Sequence, residues 1–259
     1  MHRYFLELSY NGANYSGWQI QKNAVSVQEK VNEALSAYTN SNIETTGCGR
    51  TDTGVHASQF FLHFDCSEEN INEYNALYSL NGMLPYDISL FSIRKVSDDA
   101  HARFDATERT YHYFLSSGKN VFMQDYAMPV FKPLNIDLLN ECCNIMMAHV
   151  DFECFCKSNS QNKTTICKII EAEWKSENGY TVFEISADRF LRGMVRAIVG
   201  TLLNVSSGKI SVNDFKKILE SKDRKLAGAS APPHALYLTS VKYPYLKIER
   251  PVVFPFSIK

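Results

Sequence analysis

The sequence predicts an α+β fold of two related α/β halves whose sheets are largely antiparallel and flanked by helices. Three observations lead there. Short runs with period-two alternation mix with segments of helical periodicity, the two kinds do not alternate strictly, and their order recurs loosely in the second part of the chain. The recurrence is one of pattern and not of residues, and the division is placed at 1–104 and 105–259.

Near the start, Tyr4, Leu6, Leu8 and Tyr10 alternate with Arg3, Phe5, Glu7 and Ser9, which predicts a strand with one apolar face ended by Asn11-Gly12. Ser26 is an N-cap three residues before Glu29, and Val27, Val31, Leu35 and Tyr38 recur at helical spacing, so a helix of roughly three to four turns follows. Ala57 to Cys66 is predicted as a strand, Asn75 to Gly82 as a helix and Ile88 to Val96 as another strand. In the second half a strand is predicted at Thr110 to Ser116, a helix at Asp137 to Met147, strands at Ile166 to Lys175 and Tyr180 to Ala187, and a helix from Phe190 onward.

Composition supplies enough core for one large domain or two ordinary ones: 45% of the 259 residues are hydrophobic and 12% aromatic. The seven cysteines include no Cys-x-x-Cys pair, and Met1 to Glu7 lacks the basic-then-apolar layout of a secretory signal. A reduced, cytoplasmic protein is expected. The longest apolar stretch, Met194 to Val205, is broken by Arg196 and Asn204, so no membrane span is expected. The net charge of -1 averages two unlike parts, with 6 Lys/Arg against 12 Asp/Glu in residues 1–100 and 21 against 16 in the remainder. A basic second part suits a nucleic-acid partner and equally suits a solvated surface.

The densest chemistry lies in Gly47-Cys-Gly-Arg-Thr-Asp-Thr-Gly-Val-His-Ala57. Glycines at 47, 49 and 54 mark backbone that turns sharply or lets a ligand approach closely. In extended backbone, Arg50 and Asp52 would project to one side as a guanidinium and a carboxylate. The other interpretation of the same residues is a Thr-Asp-Thr-Gly turn. Two further features are similarly ambiguous. Arg192 and Arg196, one helical turn apart beside Gly193 and Gly200, form either a solvated stripe or a face that packs on backbone or ligand. Tyr111, Tyr113 and Leu115 alternate as a buried strand face would. The cysteines at 142, 143, 154 and 156 miss the usual zinc spacings, and His56 and His63 are expected to be structural or RNA-facing. Lys157, Lys163, Lys168, Arg189, Lys222, Arg224 and Lys225 are candidate phosphate contacts.

The glycine-rich run resembles the signature of the TruA family of tRNA pseudouridine synthases. The likeness continues through Tyr10-Asn-Gly, Tyr15-Ser-Gly-Trp-Gln19, Val27-Gln28, His63-Phe-Asp65, Leu84-Pro-Tyr-Asp-Ile88, Ala102-Arg-Phe-Asp-Ala106, Arg109-Thr-Tyr-His-Tyr113, Asp151-Phe152 and Phe190-Leu-Arg-Gly-Met-Val-Arg196, all in family order. It implies a pseudouridine synthase fold, a homodimer without a cofactor, and as substrate the anticodon stem-loop of tRNA at positions 38 to 40. Asp52 then matches the catalytic aspartate, and Arg50 the arginine that helps extrude the target base and takes its place. Tyr111 matches the tyrosine stacked on the uracil, Arg196 the arginine paired with the carboxylate, and Leu236 a leucine lining the pocket. Cys48 and Thr53 stand where the family more often has alanine, Val150 replaces a polar residue, and Ala235 stands where glycine is common. An RNA-binding protein without catalysis, or a synthase with other RNA sites, are the competing functions.

Overall fold

The predicted opening strand is β1 (His2–Tyr10), and both of its faces are buried. It lies between β3 (His56–Cys66) and β4 (Ile88–Lys95), antiparallel to each. Alternation predicted one apolar face, yet Phe5 and Glu7 on the other are also covered. Phe5 meets the edges of the Tyr243 and Tyr245 rings, and the Glu7 carboxylate accepts a 3.0 Å hydrogen bond from Gln59. A buried carboxylate is tolerated there because it is hydrogen-bonded.

The structure is a computed structural model and describes residues 1–158, 163–177 and 179–247. These residues form two units, Met1–Thr107 with the segment that begins at Leu238, and Glu108–Tyr237. In the first unit α1 (Val27–Thr39) is capped as expected, the Ser26 hydroxyl accepting from the Glu29 amide at 3.2 Å. The short β2 (Thr46–Gly47) pairs with β3, and α2 (Glu73–Met83) starts at an Asn72 cap and packs on β4.

In the second unit β5 (Glu108–Ser117) pairs with β8 (Tyr180–Ala187), which pairs with β7 (Ile169–Glu177), all antiparallel. The short β6 (Met128–Val130) runs parallel to the end of β5. Three helices complete the unit. They are α3 (Ile136–Met147), which packs on β7, then α4 (Met194–Ser206) and α5 (Val212–Ser221). The α5 helix opens with a capping box in which Ser211 and Asp214 satisfy each other's backbone amides. The last strand among the described residues, β9 (Leu236–Lys242), begins in the second unit and continues into the first.

Two predicted starts move by three residues or more. The helix expected from Phe190 starts at Met194, because Gly193 takes φ +72°, a left-handed conformation that an α-helix does not accommodate. Arg192 and Arg196 are therefore not successive turns of one helix. The strand expected from Ile166 starts at Ile169. The preceding residues turn instead toward 150–152, with Phe152 N–H donating to Thr165 and Cys167 N–H to Val150. Among the described residues no helix is long and apolar enough to cross a membrane. Cys142 and Cys143 lie on the buried face of α3, and burial pushes their thiols up, to about 11 and about 12 respectively.

His56 and His63 are structural. The His56 Nδ1 accepts from the Gly12 amide and the His63 Nδ1 from the Ala102 amide, each at 3.1 Å. Burial, helped by the charges of Arg3 and His101, lowers His63 to about 4. Protonation would put a proton on the nitrogen that now accepts, so His63 is neutral in the fold. A histidine whose pKa is depressed by folding loses its contribution as pH falls, since the unfolded chain binds the proton first. The denaturation midpoint should therefore fall between pH 6.5 and pH about 4. A loss on the order of 3 kcal/mol is expected over that interval, and His63→Gln should flatten that part of the curve. Chemical denaturation across the interval checks it.

Candidate active site

Asp52 opens a tight turn whose backbone is held from two sides. Its carbonyl accepts from the Val55 amide at 3.1 Å, with Gly54 at φ +77° in the position that requires a left-handed residue. The run does turn, but over Asp52–Val55 and not over the Thr-Asp-Thr-Gly residues 51–54 of the expected turn, and the bond that closes it is between main-chain groups. Asp52 is half-buried and Arg50 exposed.

The neighbours that fix the run come from the loop after β1. Gly17, at φ +89°, lies so close that a β-carbon there would sit 2.3 Å from the Thr51 carbonyl oxygen and 3.1 Å from the Asp52 carbonyl carbon. A β-carbon on Gly12 would sit 2.0 Å from the Val55 oxygen. The Tyr10 and Thr51 hydroxyls meet at 2.9 Å, and the Gly54 amide donates to the Tyr15 carbonyl at 3.3 Å.

That loop is itself anchored. The Asp87 carboxylate accepts from the Tyr15 hydroxyl at 2.5 Å and from Asn14 at 3.1 Å, while the Asp87 carbonyl accepts from the Asn11 amide. Burial, with the Asp87 hydrogen bond, pushes the Tyr15 phenol well above its ordinary value, so it stays a donor. Trp18, buried, packs on Phe60 with ring centroids 4.1 Å apart and planes tilted by 31°, and it covers Gly47, where a β-carbon would fall 2.5 Å from the indole nitrogen. Gln28 donates to the Thr45 carbonyl at 2.7 Å and accepts from the Ile20 amide at 3.0 Å.

Tyr111, Arg196 and Leu236 all belong to the second unit. Tyr111 departs from the buried face its spacing suggested: it is half-buried, whereas Tyr113 and Leu115 are wholly enclosed. Its ring meets that of Phe190 edge-on, with centroids 5.1 Å apart and planes at 88°. Arg196, in the first turn of α4, donates through Nε to the Ala231 carbonyl at 2.7 Å, and the Ala231 amide donates back to the Arg196 carbonyl at 2.9 Å. The next residue is bonded as well. The Tyr113 hydroxyl donates to the Pro232 carbonyl at 3.0 Å, and four residues on, Leu236 opens β9 with its side chain buried. One short segment therefore ties β5, α4 and β9 together.

Comparison with known proteins agrees on one family. A profile described as tRNA pseudouridine synthase matches residues 149–244. A tRNA pseudouridine synthase A of Bacteroides fragilis is 49% identical over 243 residues, spanning 93% of this chain and 96% of that protein. The chain belongs to the tRNA pseudouridine synthase A family. The protein of that name from Azobacteroides pseudotrichonymphae is 45% identical over 94% of this chain and 98% of its own. The one from Francisella tularensis subsp. holarctica is 36% identical over 98% of each.

Several family motifs turn out to be supports, either for the Asp52 run or for the unit in which they lie. Tyr15, Trp18, Gln28 and Asp87 act as described. Asp105 accepts from the His101 amide and the Tyr245 hydroxyl, both at 2.7 Å. Asp151 pairs with Lys222 at 2.7 Å and accepts from Thr165 at 2.7 Å. Burial pushes its carboxyl up, but the hydrogen bonds from Lys222, Thr165 and the Glu153 amide, with the Lys222 charge, together hold the group below its usual range. Lys222, expected as a phosphate contact, is thus engaged by Asp151. Arg224 is engaged by its own loop, donating to the carbonyls of Ala227 and Gly228 and to the Ser230 hydroxyl. Among the described residues no group of three or more His, Cys, Asp or Glu is arranged to hold a metal ion.

Sequence reasoning missed Ala231 and Pro232, whose contribution is a carbonyl each. The Pro232-Pro233 pair, which enforces extended backbone, was the available signal. It also missed the function of Gly17, signalled by Gly between Ser16 and Trp18. Gly17→Ala should expel the Thr51 carbonyl from its present position and cost about 2 kcal/mol or more, from strain plus overpacking. Hydrogen exchange checks this directly. The Val55 amide, protected by the Asp52 carbonyl, should exchange faster in the variant by a larger factor than amides of β1.

Proposed function

We propose that the chain isomerises uridine to pseudouridine in the anticodon stem-loop of tRNA, at positions 38 to 40, with Asp52 as the catalytic carboxylate. The observation that carries this is the 49% identity, over 93% of the chain, to a protein named tRNA pseudouridine synthase A. Family membership makes the protein a tRNA pseudouridine synthase, an isomerase. The anticodon site, the role of each residue, a homodimer and action in the cytoplasm without a cofactor are the finer parts of the proposal.

The chemistry suits these residue types. The N1–C1′ glycosidic bond breaks, the uracil turns, and C5 joins C1′. The C5 proton leaves and N1 gains one, so the reaction needs no net oxidation and no water. Asp52 acts as nucleophile toward C1′ or the base, or as the base removing a sugar proton, and each role needs it ionised. Arg196 is the partner for that carboxylate, since a guanidinium both favours the charged form and orients it through two hydrogen bonds. Flipping the nucleotide out of the stem-loop costs roughly a few kcal/mol. Stacking on Tyr111 returns about 1–3 kcal/mol, and Arg50, exposed on the run, fills the gap left by the base. Leu236 supplies apolar lining.

Support for Asp52 comes from how the run is held. A carboxylate on a turn braced at Thr51, Gly54 and Val55 is preorganised, which lowers the cost of aligning it at the moment of reaction. Incubation of unmodified tRNA with the protein, followed by carbodiimide treatment and primer extension, reads both product and position. Stops at 38 to 40 are expected. Tight binding without product would leave an RNA-binding protein, and stops only elsewhere would remove the anticodon assignment. Asp52→Asn should abolish turnover while tRNA affinity stays within a few-fold, and retained turnover would refute its role.

A further inference from the structure

One arginine outside the proposed machinery governs the segment on which Arg196 and Tyr113 both depend. Residues 227–231 run along α4 at backbone contact distance. A β-carbon on Gly200 would sit 1.8 Å from the Ala229 carbonyl oxygen, and one on Gly228 would sit 2.9 Å from both the Gly200 oxygen and the Asn204 amide nitrogen. The Gly228 amide donates to the Thr201 hydroxyl at 2.8 Å, which locks the register of the segment on the helix. Its other side is held by Arg224. One terminal nitrogen of that guanidinium donates to the Gly228 carbonyl at 3.0 Å and the Ala227 carbonyl at 3.4 Å, and the other to the Ser230 hydroxyl at 3.1 Å.

The consequence lies one residue further on. Ala231 exchanges two hydrogen bonds with Arg196, and the one through Nε, at 2.7 Å, sets the plane of the Arg196 guanidinium. A planar fork pairs well with a carboxylate only when that plane is right. Pro232 takes the hydroxyl of Tyr113, on the strand that carries Tyr111 two residues away. Arg224 itself is joined to a fixed frame, because it follows Lys222, the left-handed end of α5 that pairs with Asp151.

We propose that Arg224 is a positioning residue for the isomerase reaction, fixing the Ala227–Ala231 segment against α4 and through it the orientation of the Arg196 guanidinium. This rests on the role proposed above for Arg196. Arg224 acts through two main-chain carbonyls and the Ser230 hydroxyl, so Arg224→Lys keeps the charge but loses the fork that reaches three acceptors.

Steady-state kinetics on unmodified full-length tRNA across pH, for wild type, Arg224→Ala, Arg224→Lys, Ser230→Ala and Arg196→Lys, test it, with the thermal midpoint of each variant measured alongside. Arg224→Ala should lower kcat by about ten- to a hundredfold, the scale of a small misplacement of a catalytic group, with KM changed less than about threefold on the same argument. The acid limb of its kcat profile should move to higher pH, as in Arg196→Lys. Arg224→Lys should recover part of the loss, and Ser230→Ala should show a few-fold drop in kcat alone. A brace with only a structural role would lower the midpoint and the active fraction without moving the acid limb, and that result overturns the proposal. So does wild-type kcat in Arg224→Ala when Arg196→Lys is impaired. If Arg224→Ala does not fold, Arg224→Lys and Ser230→Ala decide, and wild-type kcat with an unmoved acid limb in both overturns it. An Arg196→Lys enzyme with wild-type kcat and pH profile would instead refute the role of Arg196.

Discussion

At Gly17 the chain passes so close to the Thr51 carbonyl that no side chain fits between them, and the conformation of the Asp52 turn follows from that contact. Thr51 is pinned a second time by the Tyr10 hydroxyl, and Val55 and Gly54 by the loop on either side of Tyr15. None of these contacts would persist if the loop were loose, and Asp87 supplies the tether, through both carboxylate oxygens and its carbonyl. The cost of ordering the acidic turn is therefore met during folding, which is what the catalytic role proposed for Asp52 requires.

The second unit uses the same device with different residues. Gly200 and Gly228 let two stretches of backbone touch, and the carbonyls so placed then orient side chains, Arg196 through Ala231 and Tyr113 through Pro232. In both units glycine sets the position and a carbonyl passes it on. This explains why residues of modest chemical character occur so near the ones that carry charge.

Much of this was legible in the residues. Ser26 and Glu29 announced α1, the alternation of Tyr4, Leu6, Leu8 and Tyr10 announced β1, the Phe-rich run announced β3, and the glycine spacing announced a sharp turn or a close approach at Asp52. The placement of Gly200 beside Arg196 suggested packing against backbone, which is what Ala229 provides. What could not be read were long-range main-chain partners, since a carbonyl such as that of Ala231 or Asp87 leaves no trace in residue type. The α5 helix could have been found from Ser211 and Asp214 with Phe215, Ile218 and Leu219 behind them. The start of α4 went wrong for a specific reason: Gly193 reads as an ordinary residue inside an apolar period, and only its positive φ breaks the helix. Residue type likewise gave no sign that Lys222 pairs with Asp151 or that Arg224 donates to its own loop, since charge alone names no partner.

The central claim is that a preorganised carboxylate moves the C1′ bond of uridine from N1 to C5. That exchange must release the hydrogen carried by C5, so the most direct measurement uses tRNA whose uridines bear tritium at C5. The account predicts tritium released to water in one-to-one step with pseudouridine formed, and no free uracil. Tight binding with no tritium released, or release accompanied by free uracil and an abasic ribose, would contradict it.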